Sequence, residues 1–482
     1  MHVRRMLVLI LALIVAAPAL AGGKGKEPES FPKAPPVGPL PEPAALPKFS
    51  STTLDNGMEV VVVSNSEIPW ATVIWYLSSG AKFDPPDKAG LASTTAEMLR
   101  KGTQKHTDTE LAELLDWHAV SLGGDAGHET TSVSASGPSK QLDLAVQVIA
   151  EVARMPTFPA KEFRQHIERT ISGMAIAEKD GGYLAEREFA ARIYGAHHLA
   201  RLASGTSQTL PNVLREDLVE FHRTHYMPNQ STLVFSGDVD EARAVELAKK
   251  YFGDWAKGTP PSASPARIPE PVRTHIYLVD RPDSTQSQIR IGHLGFDRYD
   301  PKYVASNVFN QYFGGGFSSR LTRAVRIKEG LTYGAGGGFS AGRDPGTFRM
   351  STFTKNETTA EAVRVLLGEM QNALTVPPTA EELDDAKSYL IGRFALSMET
   401  PQAVAGKVFD LKFYGLPANY YETYFKQVAG THADDAFDFA KSAIQPDKLS
   451  VIVVGNAAEV EKPLSEIAPV TVVKPGEQPP AD

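Results

Sequence analysis

One pattern occurs twice in this chain, and a repeat of that length constrains the fold more than any single motif does. Late in the first half stands Tyr226-Met-Pro-Asn-Gln-Ser-Thr-Leu-Val-Phe-Ser-Gly237, and late in the second Ile444-Gln-Pro-Asp-Lys-Leu-Ser-Val-Ile-Val-Val-Gly455. Pro228 and Pro446 are 218 residues apart, as are Gly237 and Gly455. Each copy opens on β-branched runs, 58–63 and 71–77 in the first, 274–279 and 287–293 in the second, which read as strands. Helical periodicity follows at 108–120, 139–154, 159–178 and 381–398, bounded by capping and stop residues. Strands, then helices, then a closing strand predict an α+β fold: two homologous α+β domains, each a mainly antiparallel sheet with helices packed on one face.

Proline marks the boundaries. Eight prolines between residues 27 and 48 (28, 32, 35, 36, 39, 41, 43 and 47) are too many for helix or central strand, so 22–48 reads as an extended tether. Pro260, Pro261, Pro265, Pro269 and Pro271 make 258–271 a linker, and the proline-rich polar end makes 468–482 a flexible tail. The bodies between are 49–257 and 272–467. At the start, Arg4 and Arg5 precede an apolar run over 6–17 and then Ala19-Leu-Ala21, so 1–21 reads as a cleavable secretory signal. The run is too short for a spanning helix. A periplasmic or secreted protein is expected, with no integral membrane segment after cleavage.

The chain has no cysteine, which suits an oxidising compartment and excludes thiol catalysis, disulfides and cysteine zinc sites. Lys+Arg 49 against Asp+Glu 57 gives a net charge of -8, and loss of Arg4 and Arg5 takes it to -10. No basic run interrupts this balance, so nucleic acid is not an expected partner.

Residues 87–103 predict a helix with Asp87 as N-cap and Gly102 as stop. Leu91, Thr95, Met98 and Leu99 make its buried face, while Ser93 and Glu97, four apart, share another. The frame Gly90-Leu-Ala92, closed by Lys101-Gly-Thr103, resembles the active helix of the pitrilysin and insulinase type of zinc peptidases. Active members of that family carry H-x-x-E-H there, two His for zinc and a Glu to activate water. Here Ser93 stands for the first His, Ala96 for the Glu and Glu97 for the second His. The family's third ligand, a Glu some seventy-odd residues on, corresponds to Gly173 or Met174. Catalytic zinc needs about three protein ligands and a base, so the resemblance implies a degenerate motif and no metal or cofactor in this chain.

The remaining histidines give no hydrolase site: His197-His198 and His222-x-x-His225 lack an adjacent Glu. Gly338-Phe-Ser340-Ala-Gly342 fits G-x-S-x-G, yet 344–354 alternates like a strand where a nucleophile elbow requires a helix. Gly314, Gly315 and Gly316 have no following G-K-S/T, which argues for close backbone approach beside a cleft rather than a phosphate cradle. Arg326 and Tyr333, seven apart, match a pair that the same family contributes from its C-terminal half. The resemblance makes them substrate-binding and oxyanion-supporting groups; residue types alone favour a helix-end Arg in a surface ion pair and a half-buried strand Tyr.

The resemblance spans about 420 residues and both halves. It implies half of a clamshell: a non-catalytic subunit that binds peptide substrate and pairs with a homologous zinc-bearing peptidase subunit, zinc being expected in that partner. A pseudo-enzyme scaffold or peptide-binding protein without a proteolytic role is the competing reading. Hydrolysis at a different metal site is a third.

Overall fold

The computed structural model describes residues 45–271 and 273–474, so the signal segment and the tether up to residue 44 lie outside the described residues. The first half runs β1 (Ser50–Thr53), β2 (Glu59–Ser64), β3 (Trp70–Leu77), α1 (Leu91–Met98), α2 (Asp108–Trp117), β4 (Ser121–Ala126) and β5 (Thr131–Pro138). It continues with α3 (Leu142–Arg154), α4 (Ala160–Ala177), α5 (Gly181–Tyr194), α6 (Arg215–His225), β6 (Ser231–Gly237) and α7 (Glu241–Phe252). Residues 258–271 carry no helix or strand.

The second half repeats the plan with β7 (His275–Asp280), β8 (Gln286–Leu294), α8 (Tyr303–Gly314), α9 (Arg320–Thr322), a π-helical turn (Arg323–Lys328), β9 (Ala335–Phe339) and β10 (Thr347–Lys355). Then come α10 (Thr359–Thr375), α11 (Ala380–Leu396), α12 (Pro401–Phe413), α13 (Tyr420–Gly430), α14 (Ala433–Ala443), β11 (Ser450–Gly455), α15 (Ala457–Ser465) and β12 (Val470–Val473). The duplication is exact in places: α6 and α14 start and end 218 residues apart.

The sheets have strand orders β1-β2-β6-β3-β5-β4 and β12-β7-β11-β8-β10-β9. All neighbours are antiparallel except β2–β6, β7–β11 and β7–β12. The two-domain α+β fold expected from the repeat is therefore present. One boundary moves, because the expected tail from 468 contains β12, whose register places Val470 opposite Ile276 and Val473 opposite Val279. Proline on both sides of Val470-Thr-Val-Val473 masks a β-branched run that closes the edge beside β7, the place β1 fills in the first sheet.

Each sheet packs its main helical layer on one face, and its central strands also bury the other. Val60 and Val62 of β2 face the core formed with α1, α3 and α7, whereas Val61 and Val63 face Val404, Val408, Phe409 and Phe413 of α12. In the second sheet, Val451 and Val453 face the main core while Ile452 and Val454 meet Leu184, Phe189 and Ile193 of α5. Each half thus lends one helix to cover the other's sheet, and Tyr76 stacks on Phe409 at 3.6 Å between ring centres. Two-sided burial is why these strands read as unbroken apolar runs. The outer strands β5 and β10 alternate buried and half-buried instead, so their second face stays polar.

Candidate functional site

α1 is shorter than the sequence predicts, and its cap differs. Pro85 and Pro86 hold Asp87 in a short 3-10 turn, so helical geometry starts only at Leu91, after Gly90 at φ 102°. The capping carboxylate is Asp84: its Oδ2 accepts the Gly90 N–H at 2.9 Å and its Oδ1 the Ala92 N–H at 3.0 Å. Burial pushes its carboxyl up to about 7, opposed by those N–H groups and by the Arg201 guanidinium. α1 packs on β4, α4 and α6.

On this helix Ser93 and Glu97 are the half-exposed residues, on one shared face, while Ala96 is 1% exposed and belongs to the apolar core. Both Glu97 oxygens accept from Arg100, at 2.7 and 2.5 Å. Met174 is the buried residue of α4, and Gly173 has open space around it. A zinc ion of the family type does not fit these residues. The positions offer a hydroxyl, a methyl, a thioether and a carboxylate already held by a guanidinium, and the methyl stands where the family has its base.

The second half is built differently at the matching place. α8 ends at Gly314, where a Cβ would lie 2.3 Å from the Gly337 nitrogen of β9, so glycine is required for the helix to meet the edge strand. Arg320 and Arg323 both pair with Glu382, at 2.7 and 3.2 Å. Arg326, one turn on and inside the π-helical turn, has no carboxylate partner among the described residues; its guanidinium lies 4.6 Å from the ring centre of Phe317. π-helical turns are rare, and frequent at functional sites.

Gly330, at φ +64°, ends that turn, and the chain then enters β9 through Tyr333. The backbone here is pinned: Thr354 donates to the Leu331 carbonyl at 2.7 Å and Thr352 to the Gly334 carbonyl at 2.9 Å. The Tyr333 side chain projects from this pinned loop and is 82% exposed. Neither the ion pair nor the half-buried strand environment that residue types allowed describes this pair. A planar cation and a phenol stand with no polar partner among the described residues, and such groups recognise a carbonyl and donate to an oxyanion.

The other sequence candidates have structural duties. His222 Nε2 lies 2.8 Å from the Ala153 carbonyl and His225 Nδ1 lies 3.0 Å from Ser79 Oγ. Ser340 sits in the turn between β9 and β10, hydrogen-bonded to Thr347, with no helix behind it. The histidine pair at 197–198 gains a neighbour that the sequence does not reveal, Asp344 of the β9–β10 turn.

Comparison with known proteins accords with this geometry. Residues 59–207 match the model of the insulinase family (peptidase family M16), and residues 212–390 match that of the peptidase M16 inactive domain. An uncharacterized zinc protease of Rickettsia bellii is 23% identical over 355 residues, 73% of this chain and 84% of that protein. The non-peptidase homolog YmxG of Helicobacter pylori is 23% identical over 401 residues, 82% of this chain and 91% of that protein. A crystal structure described as the peptidase M16 inactive domain from Pseudomonas fluorescens superposes with a TM-score of 0.79 at 27% identity, covering 85% of this chain and 98% of that one. A protease from Helicobacter pylori, at 19% identity and a TM-score of 0.78 over 85% of this chain and 100% of that one, shares the fold.

Proposed function

This chain belongs to the M16 peptidase family, and from that premise we propose that it is the non-catalytic, substrate-binding subunit of an exported heterodimeric zinc peptidase acting on peptides. The observation that carries the reading is the contrast between the halves. The four family positions around α1 offer no zinc ligand set, whereas Arg326 lies over the Phe317 ring and Tyr333 projects from a pinned loop, neither with a polar side-chain partner among the described residues. That one relative is called a non-peptidase homolog also supports it.

In this reading the metal and its water belong to the homologous partner subunit, against whose sheet edge the peptide lies as an added strand. The Arg326 fork holds a peptide carbonyl, and the Tyr333 hydroxyl donates to the oxygen that gains charge as the carbonyl becomes tetrahedral. Gly314, Gly315 and Gly316 are the cleft glycines of this reading, and Gly314 lets the end of α8 close against β9 at Gly337. The test is steady-state kinetics of the reconstituted pair. Tyr333→Phe should lower kcat by roughly tenfold to a thousandfold with little change in KM, and Arg326→Ala should raise KM as well. Turnover unchanged in both variants would remove these roles and leave the scaffold reading.

A further inference from the structure

Where the two halves meet, beyond the residues used above, lies a cluster of metal-ligating groups. His197 and His198 follow α5, and Asp344 stands in the turn between β9 and β10; one ligand atom from each lies within 4.8 Å of the others. His198 is 6% exposed. Its Nε2 is buried and makes no hydrogen bond, although Asp344 Oδ2 is 3.2 Å away. An imidazole and a carboxylate facing each other at that distance without hydrogen-bond geometry resemble two ligands awaiting one ion. Ligands about 2.0–2.1 Å from a tetrahedral zinc stand about 3.4 Å apart.

We propose that His197, His198 and Asp344 form a three-ligand site for a zinc-class divalent cation that ties the first half of the chain to the second. The frame around the site is fixed independently of any ion. Tyr194 donates to the Pro345 carbonyl at 3.0 Å, and Arg343 donates to the Phe413 carbonyl, so the turn bearing Asp344 is anchored on both sides. His197 caps its own turn by accepting the Leu199 N–H at 3.3 Å, a long bond that coordination of the ring would replace. His128 approaches with its ring centre 6.1 Å from that of His198 and its Nδ1 buried without a partner among the described residues.

The surrounding charges are mixed: Arg201, Lys82 and Arg343 oppose a cation, and Glu129 and Asp344 favour one. A site with two imidazoles, one carboxylate and an anchored frame suits zinc or a similar transition ion rather than calcium or magnesium.

The experiment is calorimetric titration of the full chain, stripped with chelator, with Zn2+. One site per chain is expected, with affinity falling by about 10- to 100-fold in His198→Gln and in Asp344→Asn and unchanged in His118→Gln. Wild-type protein loaded with Co2+ should show visible d–d absorption, which keeps the test open if a variant fails to fold. Zinc bound equally well by both variants, no binding up to about 100 μM, or no cobalt bands would each overturn the assignment.

Discussion

α2 and the segment from α9 to Gly330 occupy the same place in the two halves, between the helix that follows β3 or β8 and the edge strand, β4 or β9. In the first half this place holds a regular helix. Thr107 and Glu110 close a capping box on it, the Thr107 N–H donating to Glu110 Oε2 at 2.8 Å and the Glu110 N–H to Thr107 Oγ1 at 3.3 Å. In the second half it holds a three-residue helix, a π-helical turn and a left-handed glycine. The regular copy follows an α1 whose Glu97 is paired with Arg100; the irregular copy leaves Arg326 half-buried over Phe317 and Tyr333 exposed. Duplicated scaffolds can therefore diverge locally while five strands of each sheet keep their order, and departure from regular backbone marks where the copies differ.

The comparison can be broken in several ways, the largest through the exchanged helices. Phe409→Ala in α12 and Phe189→Ala in α5 each remove a buried ring that covers the other half's sheet, and each should cost about 3–5 kcal/mol. Chemical denaturation should show one shared transition in both variants; two separate transitions would mean that the halves do not support each other. Next, Ala96→Glu places a carboxyl in the apolar core of the first half and should cost on the order of 2–3 kcal/mol in urea. A loss below about 0.5 kcal/mol would show that the α1 face is open and can take the missing base.

Acid should separate the halves by a smaller margin. Burial lowers the titration of six first-half histidines, 128, 166, 197, 198, 222 and 225, against His293 in the second. His225 is pushed down to about 4, chiefly by burial and then by Lys82. A folded pKa below the unfolded value near 6.5 means that the unfolded chain takes the proton first. Stability is then fully present above about 6.5 and is lost as pH falls toward 4. His225→Gln should flatten that loss by on the order of 2 kcal/mol in denaturation curves compared at pH 7 and pH 5; an unchanged pH slope would count against it. Smallest of all, Glu97→Gln removes only the pairing with Arg100 and should shift stability by less than about 1 kcal/mol. Any larger loss would assign Glu97 a second duty.

The fold was largely legible because the repeat and the strand periods carry it. Unbroken runs such as Val60 to Val63 also contained the signal for cover on both faces, which one-sided packing left unused. The tail strand at Val470 was hidden by flanking prolines, and the Asp84 cap by a proline pair that leaves the carboxylate six positions before the first N–H it accepts. At the site, the changes at Ser93, Ala96 and Glu97 are local and readable. The freedom of Arg326 was not, because pairing of Arg320 and Arg323 with Glu382 depends on a contact about sixty residues away in sequence. Asp344 meets His198 only through the fold, and no local spacing announces it.

The central claim is that catalysis requires a second chain. The direct measurement is peptide hydrolysis by the purified protein, alone and mixed with an exported homologue that keeps H-x-x-E-H. The account predicts no cleavage alone and activity in the mixture that exceeds that of the homologue by itself. Cleavage by this chain alone, abolished by chelator and insensitive to Arg326→Ala or Tyr333→Phe, would contradict it.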